Sequence, residues 1–205
     1  MIVGIVSDVH GNTPGLATAL ARMGDVDVLL CAGDMVEEFR FSNEAVAMLR
    51  EHEAVCVLGN HDLGLLGPHG ARARSADHVD ARHIAWLAGL PTSVTIDVDG
   101  RRLVMAHATP VGTGMPYLFP HSPELARLRE VDADWIVLGH THRQMAERVG
   151  RALVINPGSV GQARDPNNGK RFSYAVLDTG SGHVRFDDYT GDDVAAHARE
   201  GLSTR

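Results

Sequence analysis

The chain has 205 residues, 44% of them hydrophobic and 22% charged, with a formal charge of −7 at neutral pH, which suits one domain with a substantial core and excludes a disordered polymer. No apolar run approaches the roughly 18 residues of a membrane span, and Ile2-Val3-Gly4-Ile5-Val6 reads as a strand rather than a signal peptide, so a soluble cytoplasmic protein with no membrane partner is expected. The acidic balance argues against duplex nucleic acid as a partner but admits a small phosphate-ester substrate, whose charge bound dications would meet.

In chain order, short apolar, β-branched runs at 2–6, 26–31, 54–58, 94–98, 102–106, 135–138, 152–155 and 172–177 predict strands. Several in the first half are continuous rather than alternating, as expected for strands covered on both faces. Cys31 and Cys56 fall in two of these runs and read as buried free thiols, not as a disulfide framework. Thr13 before Pro14 predicts a helix start, Ser42 opens a helix over 43–51, and Ser122-Pro123 opens one over 124–130. Further helices are expected over about 76–88 and 191–200, while the Gly-, Arg-, Ala- and His-rich stretch 63–78 reads as a long irregular loop. The order βαβαβ, then a strand-rich second half, predicts an α/β layered domain spanning 1–205, with a second sheet against the first.

Five fragments carry chemistry: Asp8-Val9-His10, Gly33-Asp34, Gly59-Asn60-His61-Asp62, His107, and Gly139-His140-Thr141-His142. Asp8, Asp34, Asn60 and His107 each close or follow a predicted strand, and the last fragment follows Trp135-Ile136-Val137-Leu138. The carboxyl edge of an open α/β sheet is where ligands bind. Oxygen and imidazole donors without thiolate favour Mn, Fe, Zn, Co or Ni, with Mn first. A pair of divalent metal ions about 3.5–4 Å apart needs a bridging carboxylate, and Asp34 is the natural bridge. One ion would then take Asp8, His10 and His142, and the other Asn60, His107 and His140. The plain alternative, caps and turn formers, has to hold at all these positions together.

This series resembles the calcineurin-like metallophosphoesterase superfamily, and within it the small YfcE-like phosphodiesterases. Asn156-Pro157-Gly158-Ser159-Val160-Gly161-Gln162 and Tyr174-Ala175-Val176-Leu177-Asp178 strengthen the match, which covers residues 2 to about 187. The resemblance implies a four-layer αββα sandwich with two mixed β-sheets and a dinuclear metal site at the sheet edge. It also implies phosphodiester hydrolysis by a metal-bridging hydroxide, with His61 as the catalytic general acid. A phosphomonoesterase acting on nucleotides or phosphoproteins is the nearest alternative. A non-catalytic protein-binding scaffold, as in the retromer subunit of similar sequence, would be expected to lack ligands or His61, which are intact here. A homo-oligomer is left open.

Glu37 stands three residues after Asp34, where the related protein Ser/Thr phosphatases place an Asp that pairs with the catalytic histidine. It is expected either to orient His61 and keep it protonated or to be a solvated loop acid. Asp62 either orients His61 or caps the following helix. Asn12, Asn156, Gly158 and Ser159 are expected to shape turns, and Arg143 and Arg164 are candidates to meet a substrate phosphate. Phe39, Phe41 and Tyr117 could wall the pocket or pack in the core, and the stretches 35–42, 63–78 and 108–121 are expected to set the substrate.

Overall fold

The computed structural model describes residues 1–37 and 41–203. Its first half runs β1 (Ile2–Val6), α1 (Thr13–Met23), β2 (Val28–Cys31), α2 (Asn43–Glu51), β3 (Val55–Cys56), α3 (Asn60–Leu66), a 3₁₀ turn at Pro68–Gly70, α4 (Ala71–Arg74) and α5 (Ala81–Ala88). The second half continues with β4 (Ser93–Val98), β5 (Arg101–Ala106), a 3₁₀ segment (Pro123–Glu130) and β6 (Trp135–Val137). It ends with β7 (Gln144–Val149), β8 (Ala152–Pro157), β9 (Phe172–Asp178), β10 (His183–Tyr189) and α6 (Gly191–Ser203).

The strands form two mixed five-stranded sheets, ordered β10-β9-β1-β2-β3 and β4-β5-β6-β8-β7. In the first, β1, β2 and β3 run parallel, with Val3 beside Val28 and Leu30 beside Val55. In the second, β5, β6 and β8 run parallel, with Leu103 beside Trp135 and Ile136 beside Val154. Val3 and Ile5 face the opposite sheet, where they pack with Leu103, Met105, Trp135 and Ile155. Val6 and Cys31 face outward onto Leu16, Ala19 and Leu49 of the helices. Strands buried on both faces are apolar throughout, which is why β1 and β2 read as continuous runs. On the far side Val104, Ile136 and Val154 are covered by Leu125 and Leu128. The result is a four-layer αββα arrangement.

Several elements differ from expectation. The helix expected over 124–130 is 3₁₀ in form; Leu125 and Leu128 are both buried, and a three-residue period places them on one side. The stretch 63–78 is not a long irregular loop: it holds the end of α3, a 3₁₀ turn and α4. The Arg74 guanidinium donates to the Leu65 and Gly67 carbonyls, satisfying helix-end acceptors that would otherwise favour an open loop. α5 begins at Ala81 rather than near 76, because Asp80 accepts from Arg82 N and caps it there. α1 is capped by Asn12, whose Oδ1 accepts from Gly15 N, one residue before the expected cap. β7 and β10, unanticipated, are sheet edges whose partly polar alternation leaves no apolar run.

Candidate metal centre

The parallel strands of both sheets deliver their carboxyl ends to one rim. Asp8 and His10 follow β1, Asp34 follows β2, Asn60 and His61 follow β3, His107 follows β5, and His140 and His142 follow β6. Five of these residues have left-handed backbone: Asp8 (φ 54°), His10 (48°), Asp34 (52°), His140 (67°) and His142 (56°). That conformation is uncommon for residues with a Cβ and clusters at functional sites. Among the described residues only four other non-glycine positions have positive φ, so the strain is concentrated at this rim.

Two glycines let the turns close on each other. A Cβ on Gly59 would strike the Asp34 carboxylate, and one on Gly139 would strike Ser7 Oγ and stand 2.8 Å from Asp8 Oδ2. Gly139→Ala is therefore expected to destabilise the metal-free protein by about 1–3 kcal/mol and to weaken metal uptake, both read by urea titration with and without metal. An unchanged midpoint would show that the turn yields freely.

The side chains converge in overlapping sets. Asp8, His10 and His142 offer donor atoms within 4.8 Å of one another, as do Asp34, His107 and His140, and also His10, Asp34 and His61. His107 Nε2 lies 3.2 Å from Asp34 Oδ2 and 3.2 Å from Asn60 Oδ1. His10 Nε2 and His142 Nε2 are 3.2 Å apart, and Asp34 Oδ1 accepts from His61 N at 2.8 Å.

Asp8 shows most directly what the cluster is built for. Its Oδ2 accepts from Ser7 Oγ at 2.6 Å and His140 N at 3.0 Å. Its Oδ1 is buried without a hydrogen-bond partner among the described residues, although His142 Nε2 stands 3.1 Å away. A contact that close but out of line is what two donors aimed at a third atom produce, and a buried carboxylate oxygen is costly unless a cation meets it. Burial alone would raise the Asp8 pKa, but His142, His107 and Ser7 outweigh it and hold the carboxylate well below its usual range. Burial likewise disfavours protonated His107, but Asp34, Asp8 and the Ala32 carbonyl push its pKa up to about 9. Burial dominates for His10 and His140, lowering both.

The ring orientations are set from outside the cluster. His107 Nδ1 donates to the Ala32 carbonyl at 2.7 Å, leaving Nε2 as the donor atom toward the centre. His140 Nε2 donates to the Met115 carbonyl at 3.1 Å, leaving Nδ1. A carbonyl only accepts, so both tautomers are fixed. Behind the ligand turns, buried Asn156 donates to Gly139 O and Thr141 Oγ1 and accepts from Gly158 N. Ser159 Oγ donates to Asp8 O and accepts from Gly161 N and Gln162 N. Asn12 Nδ2 reaches Gly161 O.

Glu37 lies inside the cluster, its Oε1 3.2 Å from His10 Nδ1 and its Oε2 3.5 Å from His61 Nδ1. Gln162 Nε2 donates to Oε1 at 3.0 Å. Asp62 sits apart from the His61 ring. Its two oxygens accept from Gly59 N and Val36 N, so it caps α3 and ties down the chain after Asp34. Burial, reinforced by the Asp34 charge, pushes its pKa up to about 6. Asp62→Ala would leave both buried N–H groups unpaired and should cost about 1–3 kcal/mol for each; an unshifted urea midpoint would return Asp62 to a role at His61.

The pocket over the centre is lined by Asp34, Asn60, His61, Tyr117, His140, Thr141, His142 and Arg164. Arg143 turns elsewhere, its guanidinium 4.6 Å from the centre of the Phe119 ring. Phe41 is buried in the helix-side core, and Phe39 lies outside the described residues. Ser7, Gln162 and the Met115 carbonyl had no role assigned to them in the sequence reading. The first two are ordinary polar residues, and a main-chain oxygen leaves no mark on sequence.

A model of the calcineurin-like phosphoesterase superfamily domain matches residues 1–182. An uncharacterized protein of Methanocaldococcus jannaschii is 28% identical over 206 residues, covering 86% of this chain and 82% of its own. A phosphodiesterase of the same organism is 25% identical over 171 residues, covering 77% and 83%. Among solved structures, a metallophosphoesterase from Sphaerobacter thermophilus superposes with a TM-score of 0.76 at 28% identity, over 98% of this chain and 94% of that one.

Proposed function

Because this chain belongs to the calcineurin-like phosphoesterase superfamily, and so is a phosphoric ester hydrolase, we propose that it is a dinuclear metal-dependent phosphodiesterase. The observation that carries the reading is a pair of donor sets, Asp8/His10/His142 and Asp34/His107/His140, with a buried Asp8 oxygen that has no hydrogen-bond partner among the described residues. Asp34 stands between them and would serve both, and Asn60 would complete the second set. When bound, two divalent ions supply Lewis-acid charge at the phosphoryl oxygens and lower the pKa of the attacking water. The thiolate-free donors suit Mn first.

The chain's own residues do the rest. His61 lines the pocket with Glu37 beside its Nδ1, so Nε2 is the nitrogen free to face an ester. There it donates a proton to the leaving oxygen as that oxygen takes up charge. Glu37 acts through His61 and His10 and holds both rings in register. Arg164, at the pocket mouth, meets a non-bridging phosphate oxygen. Preference for a diester over a monoester is supported by the likeness to the Methanocaldococcus jannaschii phosphodiesterase.

The test compares bis-p-nitrophenyl phosphate with p-nitrophenyl phosphate, using metal-stripped protein with Mn²⁺ restored. Metal-dependent release from the diester, absent in Asp34→Asn, is the expected result. Faster turnover of the monoester would move the assignment to a phosphomonoesterase.

A further inference from the structure

The histidines of the centre are not all held by the same kind of support. His107 leans on the Ala32 carbonyl just past β2, a fixed part of the sheet. His140 leans on the long connection after β5. Its Nε2 meets the Met115 carbonyl, and its ring is covered by Tyr117, with 4.1 Å between centroids and 19° between planes. Tyr117 stacks in turn on Phe119 at 5.8 Å and 11°, and the Arg143 guanidinium lies against Phe119. His140 and Arg143 belong to one turn, so this four-membered ladder begins and ends on it and grips the connection between.

That connection has few other ties. Among the described residues, the segment Thr109–His121 hydrogen-bonds to the rest of the chain through Met115, through His121 to Glu147, and through the Phe119 carbonyl to the adjoining Ser122 N. Leu118 is its buried anchor. Tyr117 itself is 58% exposed, so core packing does not account for its place over a candidate ligand.

We infer that Tyr117 is a positioning residue for His140, and that with the Met115 carbonyl it sets the affinity of the metal site shared by Asp34, His107 and His140 without affecting the other. The inference rests on the dinuclear reading. A carbonyl at Nε2 fixes which nitrogen carries the lone pair but leaves the ring free to swing about that contact. A parallel aromatic face removes the swing, because offset stacking of π systems is directional. Groups that orient a ligand from behind are worth about 10–100-fold in metal affinity. The rings of the first set lie outside the ladder and should not respond.

The experiment titrates Mn²⁺ into metal-stripped wild type, Tyr117→Phe and Tyr117→Ala by calorimetry, with electron paramagnetic resonance reporting coupled ion pairs. Wild type should take up two equivalents. Tyr117→Ala should bind one of them about 10–100-fold more weakly, leave the other unchanged and show the uncoupled spectrum until Mn²⁺ is added in excess of two equivalents. Tyr117→Phe, which keeps the ring, should match wild type. Equal weakening of both equivalents, or of neither, overturns the inference while the dinuclear reading stands. A single equivalent in wild type overturns that reading and the inference with it. A metal-free Tyr117→Ala that melts well below wild type would make the residue a general stabiliser and overturn the inference alone.

Discussion

Replacing Asp34 by Asn is expected to cut the bound metal from two equivalents to at most one and to lower kcat/KM by at least about a thousandfold. Asp34 offers an oxygen to two of the three donor sets, one with His107 and His140 and one with His10 and His61. Its Oδ1 accepts from His61 N, and its Oδ2 lies 3.2 Å from His107 Nε2. Asn keeps the shape and an acceptor for His61 N, so folding is preserved while the charge that would join two cations is gone. Metal analysis after gel filtration gives the count. Thermal melts give an independent reading, because saturating a site at about 100 times its Kd adds about 2.7 kcal/mol. The variant should show at most half the metal-induced stabilisation of wild type. Two full equivalents with wild-type turnover would remove Asp34 from the centre.

The second large effect is at His61, and it should depend on the leaving group. His61→Ala is expected to lower kcat about 10²–10⁴-fold for diesters that expel an alkoxide, with both metal equivalents retained. For p-nitrophenyl esters the loss should be much smaller, since p-nitrophenolate needs no proton to depart. Glu37→Gln should follow the same trend more weakly, by about tenfold, because Glu37 touches the ring rather than the ester. Equal losses for both kinds of leaving group would assign His61 to binding instead of proton transfer.

The central strands were legible because burial on both faces demands unbroken apolar runs. Two of the four edge strands were not: β7, Gln144-Met145-Ala146-Glu147-Arg148-Val149, alternates as a half-solvated strand must and resembles a polar loop. The chain from Leu63 to Arg74 was misread because its helical turns are too short to show a period, and Arg74 ties them together from a distance. At the candidate centre, the side chains that the fold brings together were visible because a metal would need particular atoms, and few residue types carry them. The groups that aim those atoms were less visible. Asp62 was open between two roles, since an N-cap and a histidine partner are both acidic. Met115 acts through its backbone, and Tyr117 through a ring that sequence alone places equally well in a core.

The candidate ligands divide between the sheets: Asp8, His10, Asp34 and Asn60 follow strands of the first, His107, His140 and His142 strands of the second. Asp8/His10/His142 and Asp34/His107/His140 each draw on both. The centre is therefore a clasp across the seam of the sandwich, and its dimensions are those of the packing between the sheets. Val3, Ile5, Met105 and Trp135 fill that seam and touch no ligand atom in the contacts described above. Interiors this dense transmit small changes of volume, and ligand geometry tolerates errors of only a few tenths of an ångström. Trimming one of these side chains would let the sheets settle or slide, and the loss would appear first as a looser grip on metal, before the fold itself gave way.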